Sequence, residues 1–188
     1  LVDPGFEGTP QGAFDKVVAE CVGEAEGYAD DYKNATADDA LFFRSFHGEH
    51  ALRVVFDEGY VLSVSSGGYS FTGGAHGMYG ANIFNIDKRD GVVMTEQVLF
   101  RPGYKENLSA LIQNVLAQRN LSADEDEHVG LFGEISEVKA NGNFIFSDYG
   151  ITYNFVIYEI SSYAQGEIYV EIPFELIIPL VNDKYLPV

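Results

Sequence analysis

The sequence predicts an α+β fold: a mostly antiparallel sheet with two long amphipathic helices on one face, arranged as two lobes of one compact unit. Three observations lead there. Apolar residues recur at helical spacing in two separate stretches, one near the N-terminus and one in mid-chain. Around them, short runs rich in β-branched and aromatic residues are separated by glycine-containing turns. The order helix, strands, helix, strands suits helices gathered on one side of an antiparallel sheet.

The first ten residues, LVDPGFEGTP, carry two Pro and two Gly and read as a loop. Phe14, Val17, Val18, Cys21, Val22, Ala25, Ala29 and Tyr32 then repeat at helical spacing and predict a helix over about 12–33. Gly23 and Gly27 weaken it by roughly 1 kcal/mol each relative to Ala. Cys21 falls on the apolar stripe, which reads as core rather than as a reactive thiol. From residue 41 the period changes. LFFRSF, HALRVVF and YVLSVSS are strand-like, and the short turns HGE and DEG between them predict a meander.

After a glycine-rich loop, ANIFNID reads as a strand and DKRDG as a tight turn leading into VVMTEQVLF. Leu108, Leu111, Ile112, Val115 and Leu116 form the stripe of the clearest helix. The acidic run Asp124 to Glu127 reads as solvated surface, because the spacing of a calcium loop is missing. NFIFSDYGITYNFVIY predicts a hairpin around SDYG, and GEIYVEIPFEL a further strand with Pro173 at its end or edge. The expected organisation is an N-terminal helix-and-meander lobe over 1–66 and a second module over 67–188.

The net charge is −18. Phosphate binding needs Lys and Arg to release counterions, so nucleic acid is excluded as an expected partner. The same charge permits a basic protein partner through field steering. No apolar run approaches the ~20 residues of a membrane span. One cysteine allows no internal disulfide. The start at Leu1 shows neither an initiator Met nor a signal-peptide pattern, so the chain is expected to follow a removed segment or to lie within a longer protein.

No catalytic motif stands out. His47 and His50 flank HGEH without the further ligands zinc requires. There is no GxSxG elbow. Gly73, Gly74, Gly77 and Gly80 lie between two predicted strands, whereas a dinucleotide loop joins a strand to a helix. Neither metal nor cofactor is expected. The segment YSFTGGAHGMYG, residues 69–80, holds the most unusual chemistry. Its glycines suit a sharp excursion between paired strands. His76 at its tip can cap freed backbone groups or meet a ligand.

These residues carry a resemblance. Tyr69, Phe71, Thr72, Gly73, Gly74, Ala75, His76 and Gly77 resemble the glycine-rich block of a bacterial cell-envelope domain of unknown function. That domain is found in the extracytoplasmic part of RsiV-type anti-sigma factors and beside some peptidoglycan polysaccharide deacetylase domains. Gly150, Tyr158, Glu159, Ile160, Tyr163, Ala164, Gly166, Ile172 and Pro173 resemble its second block. Val156-Ile157 and Ser161-Ser162 stand where the family usually has Asn-Pro and Ala-Pro.

The resemblance implies a non-enzymatic, extracytoplasmic binding or sensor module, at the periplasm or cell surface. Its anchor would be a segment outside this chain. The implied ligand is a basic protein such as lysozyme, or a cell-wall glycan. Gly73, Gly74, His76 and Gly77 are expected to shape the ligand-binding loop, with Tyr69, Tyr79 and Tyr163 at its rim. Two alternatives remain: a glycan-acting enzyme using His76 with nearby carboxylates, and a structural accessory to a neighbouring domain.

Overall fold

A computed structural model describes residues 47–119 and 130–186, together with scattered positions between 15 and 36. The positions described between 15 and 34 are helical, where the first helix was expected. Val22 and Ala29 of its apolar stripe are exposed there. Phe14, Val17, Val18, Cys21, Ala25 and Tyr32 lie outside the described residues, as do LFFRSF and the acidic run.

Two antiparallel systems carry the α+β fold. The first is a four-stranded sheet in the order β1-β2-β3-β4, with β1 His47–Glu58, β2 Val61–Phe71, β3 Met78–Asp87 and β4 Val92–Val93. The second is a meander of β5 Phe144–Phe146, β6 Gly150–Phe155 and β7 Ile168–Pro173. By backbone contacts the chain divides into two compact units: residues 1–50 with 68–78, and residues 51–67 with 79–188.

The expected turn at HGEH does not form. β1 runs unbroken from His47 to Glu58. The reason lies on the neighbouring strand. A Cβ on Gly68 would sit 1.8 Å from the carbonyl oxygen of Glu49, so the glycine lets the two backbones pass closely where the turn was predicted. The DEG turn does form, with Gly59 at a φ of +53° between β1 and β2. Among the described residues β1 is the sheet's edge strand, and Leu52 and Val54 on it are about 60% exposed.

The second unit holds the core. Tyr153 faces Phe144 and Val170 across the meander, Ile151 faces Phe146 and Ile172, and Phe155 faces Ile168. Partners across antiparallel strands share a face, so period-2 alternation puts all eight side chains on one buried layer. Helix α2, Lys105–Gln118, packs against β7 and buries Leu108, Ile112 and Leu116 completely. Each such side chain contributes roughly 1.5–3 kcal/mol. The SDYG hairpin forms as expected: the Ser147 amide donates to the Gly150 carbonyl, and the Ser147 hydroxyl accepts from the Gly150 amide.

VVMTEQVLF is strand only at Val92–Val93 and then turns into a short helix, α1 Glu96–Leu99. Glu96 draws this turn inward. Its buried carboxylate accepts from the Tyr104 hydroxyl at 3.1 Å, the Tyr153 hydroxyl at 2.9 Å and the Gly142 amide at 2.9 Å. Inside the second unit, polar side chains also join the two sheets. Ser63 donates to Asn85, which donates to the Phe144 carbonyl. Asn143 accepts from the Ile83 amide and donates to the Ala81 carbonyl, continuing the ladder of β3 with a side chain.

Candidate functional site

The glycine-rich loop, residues 72–77, connects β2 to β3. Gly73 and Gly74 have φ of +106° and +90°, a region L-side chains rarely enter, so the backbone itself requires these two glycines. Gly77 is buried for a different reason. A Cβ there would lie 2.3 Å from the Tyr69 ring, which lies across it. The same tyrosine approaches His47, with ring centroids 6.0 Å apart. His76 is exposed, and its Nδ1 lies 3.0 Å from the Gly77 carbonyl. A carbonyl only accepts, so Nδ1 donates this bond and Nε2 faces away from it. Tyr69, Gly73, Gly74, His76 and Gly77 therefore form one cluster, within the first unit.

Tyr79 and Tyr163 belong to the second unit, where the structure brings them together. Their rings meet edge to face at 5.8 Å, and Tyr158 joins Tyr163 at 5.9 Å. The Tyr79 hydroxyl passes over Gly166, where a Cβ would lie at 3.4 Å. Tyr169, on β7, is exposed beside them. Its hydroxyl donates to Glu167 at 2.7 Å, and burial followed by the Glu167 bond pushes it up to about 12, with Tyr79 contributing.

Tyr158 was named only within the second family block and Tyr169 not at all, and neither was expected as a site residue. Tyr158 has a φ of +65°, and it is the only non-glycine residue with positive φ among the described residues. It sits in a turn closed by the Glu159 amide donating to the Val156 carbonyl. The Glu159 carboxylate accepts from the Val156 amide at 3.0 Å and from Asn141 at 2.8 Å, which clamps the turn. The usual occupant of such a position is Gly or Asn. A tyrosine held there places 45% of its surface in solvent at some conformational cost. Asn-Pro in the preceding family positions would have signalled a turn, whereas Val156-Ile157 reads as strand, and this hid the turn that holds Tyr158.

Edge-to-face tyrosines that are partly exposed can stack on sugar rings or serve as rigid anchors for a protein surface. Among the described residues no group of three or more His, Cys, Asp or Glu is placed to hold a metal, and no helix is long and apolar enough to cross a membrane.

Residues 98–175 match the profile of DUF3298, a protein family of unknown function. The chain is similar in fold to a DUF3298 family member from Bacteroides fragilis, with a TM-score of 0.71, 24% identity, and coverage of 94% of this chain and 71% of that one. It is also similar to a DUF3298 family protein from Pseudomonas aeruginosa, with a TM-score of 0.62, 21% identity, and coverage of 81% of this chain and 71% of that one. No curated protein is significantly similar to the chain in sequence.

Proposed function

We propose that the chain is a non-enzymatic, extracytoplasmic binding module of the bacterial cell envelope, and that it binds a basic protein of the lysozyme kind through its tyrosine face. The observation that carries this reading is the mutual contact of Tyr79, Tyr163 and Tyr158, with Tyr158 held at positive φ to present its ring. Backbone strain that persists at an exposed aromatic side chain supports a recognition role. A net charge of −18 adds long-range attraction for a basic partner. The resemblance to the sensing domain of RsiV-type proteins supports the same reading. Gly73, Gly74, His76, Gly77 and Tyr69 form a separate loop cluster in the first unit and are a second candidate ligand-binding element.

A cell-wall glycan is the second reading, favoured by the exposed rings, which suit sugar stacking. Calorimetric titration with a basic lysozyme, at low and moderate salt, tests the first. Saturable binding that weakens with salt, and that Tyr163→Ala weakens by tenfold or more, as expected of a hot-spot tyrosine, is the expected result. Binding of soluble peptidoglycan fragments with no response to lysozyme would replace it with the glycan reading. Silence with both would leave the structural-accessory role.

A further inference from the structure

The tyrosine face stands where β6 ends and β7 begins. The opposite end of these strands, about 17–20 Å away for six residues, borders a cavity of about 730 Å³ in the same unit. Its apolar walls include Phe56, Val61, Phe146, Phe174, Ile177 and Val181. This volume is in the range of small-molecule sites. Neither the glycine-rich loop nor the tyrosine face contributes to it.

The charges around it decide what kind of molecule fits. The Arg89 guanidinium carbon stands over the Tyr60 ring, 3.9 Å from its centroid, and Nε and Nη2 donate to the two carboxylate oxygens of Asp87 at 2.9 and 2.8 Å. Asp87 is fully buried. The Lys184 Nζ bonds Asp90 at 2.8 Å and stands 3.5 Å from Asp87. Both cations of the cavity lining are therefore already met. Just outside it, Lys88 pairs with Asp57 and Arg101 with Asp183. Glu58 and Asp148 also line the cavity, both are exposed, and among the described residues neither is in an ion pair. The unmatched charge at the mouth is negative.

We propose that this cavity is a binding site for a small molecule with an apolar body and one cationic head, an alkyl or aryl amine, whose ammonium is answered by Glu58 and Asp148. An anionic head is disfavoured, because taking Arg89 from Asp87 would leave a buried carboxylate without its partner. A neutral molecule of the same shape gains the apolar burial alone. This site is independent of the tyrosine face and of whatever binds there.

The test uses three probes that share a phenylbutyl body and differ only in head group: phenylbutylamine, phenylbutanol and phenylbutyrate. Each is titrated into the full chain and followed by amide chemical shifts. The expected result is saturable shifts around Phe146–Asp148 and Ile177–Tyr185, with the amine roughly three- to tenfold tighter than the alcohol, the gain expected of one or two partly exposed ion pairs, and the acid weakest. The double variant Glu58→Gln, Asp148→Asn alters only exposed side chains and should bring the amine down to the alcohol. Tyr163→Ala should leave all three unchanged. Equal or tighter binding of the acid, an amine preference that survives the double variant, no saturable shift at the cavity, or loss of binding in Tyr163→Ala would each overturn the proposal.

Discussion

The Tyr153 hydroxyl donates a 2.9 Å hydrogen bond to Glu96 from 57 residues further along the chain. The same carboxylate takes the Tyr104 hydroxyl and the Gly142 amide, so one acid at the start of α1 ties together β6, the approach to α2 and the turn before β5. Removing one donor leaves the others in place. Tyr153→Phe should cost about 1.5–3 kcal/mol, the range for a hydrogen bond to a charged group. Glu96→Ala, which orphans two buried hydroxyls and an amide, should cost more. Urea unfolding of the three proteins measures both, and equal midpoints would refute the role of Glu96.

The same cluster predicts a loss of stability at high pH. Desolvation, then Glu96, raises Tyr104 from 10.0 to about 12 and holds Tyr153 higher still. Above pH 10 the unfolded chain releases these protons while the folded chain keeps them, so folding is favoured less as pH climbs. For Tyr104 the loss begins near pH 10 and is complete near pH 12. Unfolding midpoints across that interval should fall, and they should fall less steeply in Tyr104→Phe.

At the acid end the relevant pair is Asp87 with Arg89. The guanidinium hydrogen bond holds the Asp87 carboxyl well below its ordinary 3.8. Its contribution is full above that value and is lost as pH drops below it, when the unfolded chain takes up a proton that the folded chain refuses. Asp87→Asn should destabilise the protein near neutrality, because Arg89 and Lys184 lose the buried carboxylate that both of them face. It should also flatten the decline in stability below pH 4, as followed by circular dichroism. A variant as acid-sensitive as the parent would contradict this.

Gly150 offers a steric prediction. A Cβ there would lie 2.0 Å from the Ile172 carbonyl oxygen, on the strand that pairs with it. Backbone has to shift, so Gly150→Ala should destabilise by about 3 kcal/mol or more. Gly77→Ala meets only the ring of Tyr69, which is partly exposed and can swing aside, and should cost less. Thermal melts of the two variants rank them, and the reverse order would be evidence against the close approach of β6 and β7.

Tyr158→Gly separates strain from recognition. Glycine accepts a φ of +65° without penalty, so stability should hold or rise by about 1 kcal/mol. Binding through the tyrosine face should weaken, because the ring is gone. A variant that binds as before would remove Tyr158 from the face.

Much of the architecture could be read from residue spacing. The stripe from Leu108 to Leu116 and the alternation from Ile151 to Phe155 each repeat a buried side chain at the period of their element. The turn at His47–His50 was misread because the glycine that matters there, Gly68, lies on the neighbouring strand and acts through space. Val54 and Leu52 look like core residues in sequence, yet they occupy an edge strand, and periodicity does not distinguish edge from centre. Tyr79 and Tyr163 were expected at the rim of the glycine-rich loop. Their contact, and the addition of Tyr158, needed a turn that the apolar pair Val156-Ile157 conceals.

The stretch 174–186 has a consequence for the order of assembly. The meander and α2 join residues close in sequence, whereas the bridge of Phe100 with Val181 and the bonds between Arg101 and Leu180 and between Asn182 and Leu99 bring back the far end of the chain. Local pairings form cheaply and early, and a returning segment docks after the ends it joins have been brought together. Val181, on the cavity wall, is thus expected to dock after the meander and α2 have formed. Amides around Val181 should exchange with deuterium faster than those of β6, so that one wall of the cavity opens at lower cost than the meander.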